Sequence, residues 1–380
     1  MSLRRGPLLV MEGPKPLDIR ELARRLNVSI GTVSRALNGR ADVSAETRRR
    51  VVEAARKLNY APNQSGRSLR KGATHAVAFL LQPHPGDHPY GEPFFLTFMK
   101  GLQAGLAERG LELIMVMDPP GGEQERLRRV VEARWADAIV LAWTRRRDPR
   151  IEYLSEVGFP FATLGRSLSG GTAYPSLDLD FVRAGEESVA RLAARGHRKV
   201  ALVSPPPELN FAYLFRRGYR QGLRRAGLAF DPALLAAGEV NEAGGYAATR
   251  ELMQCRNPPT AILFNNDALA LGGCRALGEL RLQPGRDVAA IVIVDSPLCS
   301  YLSPALTGFS VALEPLGRRL AEMLLAAMPH TVGPDGPRIM REVWPLALIA
   351  RESDAPRLAL AEEREDVMQH SAVLEREASR

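Results

Sequence analysis

The sequence predicts an α/β protein in two unlike parts: a small three-helix head, then a large two-lobed core of doubly wound parallel sheets. Three observations carry this. At 380 residues the chain exceeds one ordinary domain and suits two or three. Its net charge of +8 is unevenly spread, because residues 15–72 hold 14 Lys and Arg against 5 Asp and Glu, which leaves residues 73–380 nearly neutral. From Ala76 onward, short apolar runs alternate with amphipathic helical patterns.

Residues 1–16, MSLRRGPLLVMEGPKP, read as a disordered leader. The apolar stretch ends at Glu12, short of the roughly 7–15 apolar residues of a signal-peptide core, so export is not expected. No run approaches the roughly 18 apolar residues of a membrane span. Cys255, Cys274 and Cys299 are odd in number and widely spaced, which suggests buried thiols in a reducing cytoplasm.

Residues 17–62 form the head. Asp18 followed three residues later by Glu21 is a capping-box-like start, and Ile19, Leu22, Ala23 and Leu26 recur at helical spacing. Asn27 tolerates a left-handed turn. Ser29 caps the next helix, Val33 and Leu37 form its buried stripe, and Gly39 ends it. Ser44 caps a third helix with Val51, Ala55 and Leu58 on its apolar side. Three short helices with a tight first turn make a helix-turn-helix, whose second helix enters the major groove. Ile30, Gly31, Ser34 and Arg35 then face base edges: Arg35 suits guanine, Ile30 a thymine methyl, and Gly31 permits close approach. Ser29, Thr32, Asn38, Ser44 and Thr47 are short donors suited to phosphates, which position the protein without reading sequence. A basic unit of this kind is the electrostatic footprint of DNA binding.

The stretch LDIRELARRLNVSIGTVSRALNGRADVSAETRRRVVEAARKLNYAPN resembles the DNA-binding head of the LacI/GalR family of bacterial transcription regulators, with its VSxxTVSRALN and LNYxPN segments intact. It departs at Leu26-Asn27, where the family usually has Ala-Gly. The resemblance implies a hinge helix over residues 63–72 that wedges Leu69 into the minor groove. Gly66 stands there in place of the usual Ala. It also implies a homodimer on double-stranded operator DNA, acting in the cytoplasm as a repressor, with no cofactor.

The core, residues 75–352, is read as strands at 76–81, 111–117, 137–142 and 160–164, then a second series at 199–204, 260–265 and 289–294, with helices between. Two lobes of parallel sheet follow, and ligands sit in the crevice at the carboxyl ends of the strands. GHRKVALVS, RRGYRQGL, PTAILFNND and SPALT extend the family resemblance to about residue 350, and with it a periplasmic-binding-protein-like core used as an effector sensor. DPR (148–150) and FPFATLGR resemble a subgroup that includes regulators of sugar uptake.

For the effector, the candidate residues are Phe95 and Trp143, together with Arg166, Phe215, Asn266, Asp267 and Val294, which stand at positions the resemblance matches. Phe215 stands where many sugar-binding members have an arginine, and Val294 where they have an aspartate. The expected ligand is therefore sugar-like or a flatter, more apolar metabolite that stacks on Phe215 or Trp143, with Arg166 and Asn266 orienting its polar end. Trp143 reads equally as a packed core residue. Arg145–Arg147 reads as a solvated loop at the cleft rim, and Asp178 and Asp180 as structural or turn residues.

Enzyme and metal signatures are missing from the sequence. It lacks a phosphate-binding GxxxxGK[ST], a GxGxxG after a strand, an HExxH and a Cys pair at zinc spacing. His84 and His88 are interrupted by Pro83, Pro85, Gly86 and Pro89, so they read as a loop and not as metal ligands. Residues 353–380 read as a charged, disordered tail. The alternatives are a periplasmic-type solute receptor and an α/β enzyme with an appended head. The basic head argues against the first, and the lack of a catalytic constellation argues against the second.

Overall fold

The computed structural model describes residues 18–37, 40, 42–58, 60, 73–81, 92–117, 122–168, 173–329 and 336–355. The leader, Asn38, Gly39, the hinge with Gly66 and Leu69, the His84–His88 loop and the tail from residue 356 lie outside them. The chain divides into two compact units, Met1–Thr74 and His75–Arg380.

The head packs α1 (Ile19–Leu26), α2 (Ile30–Leu37) and α3 (Ala45–Lys57) around Leu22, Val33, Ala36, Val51 and Ala55. Asp18 caps α1 by accepting from the Arg20 N–H. Glu21 does not reach back to complete a capping box. Its carboxylate pairs with Arg25 at 2.9 Å and with Arg24, and the Arg25 hydrogen bond holds it below the usual carboxylate range. Asn27 takes the left-handed conformation (φ 53°) that the turn requires.

Among the described residues the core contains two six-stranded sheets. In the first lobe they are β1 (Ala76–Leu81), β2 (Glu112–Met117), β3 (Ala138–Leu141), β4 (Phe161–Leu164), β5 (Ser176–Leu179) and β11 (Arg341–Trp344), ordered β11-β5-β4-β3-β1-β2 and all parallel. In the second they are β6 (Val200–Ser204), β7 (Leu235–Ala237), β8 (Ala261–Phe264), β9 (Ala289–Val292), β10 (Thr307–Ser310) and β12 (Ala347–Ile349), ordered β12-β10-β9-β8-β6-β7. Only β12 is antiparallel to its neighbour there. Each sheet is doubly wound, so its strand order reverses beside the first strand of the lobe, and ligand crevices open at such a point.

Helices α4 (Glu92–Ala107), α5 (Glu123–Glu132), α6 (Pro149–Glu156) and α12 (Leu313–Ala327) belong with the first sheet. Helices α7 (Phe181–Ala194), α8 (Asn210–Arg225), α9 (Glu242–Gln254), α10 (Asp267–Glu279) and α11 (Pro297–Tyr301) belong with the second. The chain crosses between lobes three times: from β5 through α7 to β6, from β10 through α12 to β11, and from β11 to β12. One continuous apolar cluster, with members from Val77 and Phe98 through Phe181 to Phe215 and Phe309, runs through both lobes. The glycines of RRGYRQGL bring α7 and α8 into close contact. A Cβ on Gly218 would lie 2.1 Å from the Val182 carbonyl oxygen.

Two expectations need correction here. The core does not end at residue 352: Ser353 and Asp354 are fully buried. Asp354 pairs with Arg191 and Arg195 and accepts from Thr307 Oγ1 at 2.7 Å, a buried carboxylate satisfied on every side. The cysteines are not all buried either. Cys299 is, Cys274 is half-buried, and Cys255 is exposed just after α9, beyond its packed face. Among the described residues no helix is long and apolar enough to cross a membrane.

Candidate nucleic-acid interface and effector cleft

On α2, the faces separate as a groove-reading helix needs. Val33 and Ala36 are buried, while Ile30 (41% exposed), Gly31 and Arg35 face outward and Ser34 is half-buried. An isoleucine held that far into solvent has no packing reason to be there. Gly31 is informative in the same way. A Cβ on it would meet only Ser29 Oγ at 3.6 Å and an Arg35 guanidinium nitrogen at 3.8 Å, ordinary contacts. The head itself does not require glycine at this position. Among the described residues Arg35 makes an exposed side-chain ion pair with Asp42 at 3.6 Å, which is cheaply exchanged for a base.

The hydroxyl pairs are helix caps. The Thr32 N–H donates to Ser29 Oγ at 3.0 Å, and the Thr47 N–H to Ser44 Oγ at 3.2 Å. The two side-chain oxygens of each pair are themselves hydrogen-bonded, at 2.8 and 2.9 Å. Each set therefore marks a helix N-terminus, where backbone N–H groups and the helix dipole favour phosphate.

The cleft is aromatic across its width. Trp143 follows β3, and its ring lies 6.0 Å from Phe95 of the first lobe and 5.3 Å, edge-on, from Phe211 of the second. Phe211 in turn lies 5.9 Å from Phe181. Trp143 and Phe95 thus come together as expected, half-buried. Phe215 does not join them. It is fully buried, one helical turn deeper on α8 than Phe211, in the seam against α7 where its carbonyl faces Gly185. Its burial follows from the i, i+4 spacing: once Phe211 stands at the cleft, Phe215 lies beneath it on the same helix face. Sequence reasoning missed Phe211, although the first turn of the helix after β6 is where a switch-point ligand would lie.

Arg166 follows β4 and points its Nε at Asp178 Oδ2, 2.8 Å away, a charge contact without hydrogen-bond alignment. Asp178 is buried in β5, and burial pushes its carboxyl up to about 6 against the pull of Arg166. Asp180 caps α7 by accepting from the Arg183 N–H at 3.0 Å, a structural role. Asn266 caps α10, accepting from the Leu269 N–H at 2.9 Å. Burial raises the Asp267 carboxyl, and a hydrogen bond from Ser296 partly offsets this. Val294 is half-buried just beyond β9. These three stand at the carboxyl ends of β8 and β9.

The arginine run is not a solvated loop. The Arg146 N–H donates to the Glu208 carbonyl at 2.9 Å, its guanidinium lies 4.0 Å from the centre of the Tyr213 ring, and the Asn210 N–H donates to the Thr144 carbonyl at 2.9 Å. Asn210 Nδ2 adds a bond to the Arg166 carbonyl at 2.7 Å. These contacts join the lobes, and they draw Arg145 and Arg146 into the seam and leave Arg147 exposed. Among the described residues no group of three or more His, Cys, Asp or Glu could hold a metal ion.

Residues 18–63 match the bacterial regulatory proteins of the lacI family, and residues 189–353 match the periplasmic binding protein-like domain. The HTH-type transcriptional regulator AglR of Rhizobium meliloti (strain 1021) is 32% identical over 347 residues, covering 90% of this chain and 95% of its own. The chain belongs to the LacI family. It is a DNA-binding transcriptional regulator. The structure of the transcriptional regulator CelR in complex with cellobiose is 28% identical, with a TM-score of 0.67, covering 89% of this chain and 99% of that one. The Lac repressor dimer bound to operator shares the fold at 23% identity, with a TM-score of 0.77, over 90% of this chain and 100% of that one.

Proposed function

We propose that this regulator is a cytoplasmic, homodimeric repressor without enzymatic activity, and that a carbohydrate held between its lobes sets its operator affinity. The aromatic cluster spanning the cleft, Phe95–Trp143–Phe211, carries this reading. Pyranose rings present C–H faces that stack on indole and phenyl rings, while their hydroxyls need polar partners such as Arg166 and Asn266. The cellobiose in the CelR complex supports a ligand of more than one ring. With Phe215 outside the cleft, the argument for a purely apolar metabolite loses its main residue. Two copies are required because one head reads only a half-site of a palindromic operator.

The test combines two measurements on the full chain. A thermal-shift series with cellobiose, ribose and glucose should show a clear rise with the disaccharide, since a ligand of the folded state stabilises it. The same sugar should change the affinity for an operator selected from random DNA. A flat series, or a bound sugar that leaves operator affinity untouched, overturns the effector assignment.

A further inference from the structure

The loop after β3 has the least ordinary backbone in the cleft. Trp143 has φ 53°, in the left-handed region that bulky side chains rarely occupy. Such a conformation persists only where its surroundings over-determine it. Here the constraint is a buried ion pair, with the side chains of Asp148 and Arg150 0% and 1% exposed.

Arg150 donates to the Asp148 carboxylate through Nε at 2.9 Å and Nη2 at 2.7 Å. The same Nη2 reaches the carbonyls of Ala142 and Trp143 at 3.1 and 3.2 Å. From the other side, Asp148 Oδ2 accepts the Arg145 N–H at 3.1 Å, and Oδ1 accepts the Arg150 N–H at 3.1 Å to cap α6. One pair therefore grips the loop before and after Thr144. Between those grips lie the groups that meet the second lobe: the Trp143 ring against Phe211, the Thr144 carbonyl bonded to Asn210, and Arg146 against Glu208 and Tyr213. Burial works against the Asp148 carboxylate, but the hydrogen bonds and charge of Arg150 more than offset it and hold the group below its ordinary range.

Stability alone does not explain such a pair, because buried ion pairs are often matched or bettered by apolar residues of the same volume. Their distinctive property is fixed geometry: Arg150 Nε and Nη2 and both Asp148 oxygens are committed to the partners above, while Arg150 Nη1 is buried without a hydrogen-bond partner among the described residues. We infer that Asp148 and Arg150 are positioning residues for the effector site: they hold Trp143 turned toward the second lobe and hold residues 144–146 in register with residues 208–210 across the cleft. This rests on the effector reading given above.

The experiment uses the full chain with Trp135→Phe and Trp344→Phe, which leaves Trp143 as the remaining tryptophan of the three. In this background Arg150→Met replaces the cation with an apolar chain of similar length. In the folded, ligand-free variant, Trp143 emission should shift to the red and acrylamide quenching should rise. Cellobiose affinity should fall by roughly tenfold or more, as when groups that orient binding residues are removed elsewhere. A lower melting temperature with unchanged emission, quenching and cellobiose affinity makes the pair a brace only and overturns the inference. If Arg150→Met does not fold, Asp148→Asn decides on the same readouts, because it keeps side-chain size and one acceptor oxygen. A parent chain with no response to cellobiose counts against the effector reading, while the ligand-free emission and quenching still decide the positioning role.

Discussion

In the head, Ile30, Gly31, Ser34 and Arg35 stand on one helix within six positions; in the cleft, Phe95, Trp143, Phe181 and Phe211 come from four segments of the chain. The difference is one of how placement is enforced. Helix geometry alone turns the DNA-facing side chains outward once Val33 and Ala36 are buried. The aromatic cluster exists only because two sheets, three crossings and the seam at Thr144–Asn210 bring the segments together. Substitutions in the head should therefore act on binding with little effect on folding, whereas in the cleft the two effects separate only residue by residue.

Phe215 and Phe211 give the largest test of that separation. Phe215→Ala removes a fully buried phenyl and should cost about 3–5 kcal/mol of core stability in urea denaturation. Phe211→Ala, at a half-buried position, should cost clearly less yet remove the sugar-induced thermal shift. Equal losses from the two changes would show that Phe211 is core as well.

Asp178 tests the cleft through pH. Its carboxyl holds its proton up to about 6 in the folded chain, against about 4 when unfolded. The folded state binds the extra proton between those values, so stability declines as pH rises from about 4 to about 6 and is level above. Two units at about 1.4 kcal/mol each set a ceiling of about 3 kcal/mol. Asp178→Asn cannot ionise, so its stability relative to the parent should grow over that window. Melting curves from pH 4 to pH 7 that stay parallel count against a buried, high-affinity proton.

The head should respond more gently. Arg35→Ala should weaken operator binding by about 1–3 kcal/mol and relax preference at one base pair. Uniform weakening across all sequences, seen in competition with scrambled operators, would make Arg35 a phosphate contact. Gly31→Ala should have the smallest effect on the free protein, because the added methyl has room. Its melting temperature should hold or rise slightly while operator affinity falls. Undiminished affinity would mean that the DNA does not approach α2 closely at this residue.

The head was legible because its signals are local: the cap at Asp18, the left-handed Asn27 and the Val33 stripe each depend on neighbours a few positions away. The alternation of strands and helices revealed the two lobes for the same reason. What the sequence hid is what long-range packing decides. Phe215 and Phe211 are chemically identical and four residues apart, and only the α7–α8 seam determines which is buried. Arg145–Arg147 looked solvated because nothing in the run announces Tyr213 or Glu208, more than sixty positions away. Asp354 lies just outside the stretch that looked ordered, and its partners Arg191 and Arg195 precede it by about 160 residues.

The second crossing has a consequence for how the protein is made. The first lobe takes its edge strand β11 and the helix α12 from near the end of the chain, after every strand of the second lobe but β12 has been threaded. A ribosome finishes the head and its separate core by Tyr60, but the first lobe lacks an edge strand until Trp344 has emerged. At about 5–20 residues per second that interval lasts on the order of 15–60 s. During that interval each nascent chain presents a completed DNA-reading head followed by a lobe still being made, and once β5 has emerged its edge stays unpaired until β11 follows. The exposed edge of β5 is then the place where a folding helper or a neighbouring nascent chain would engage first.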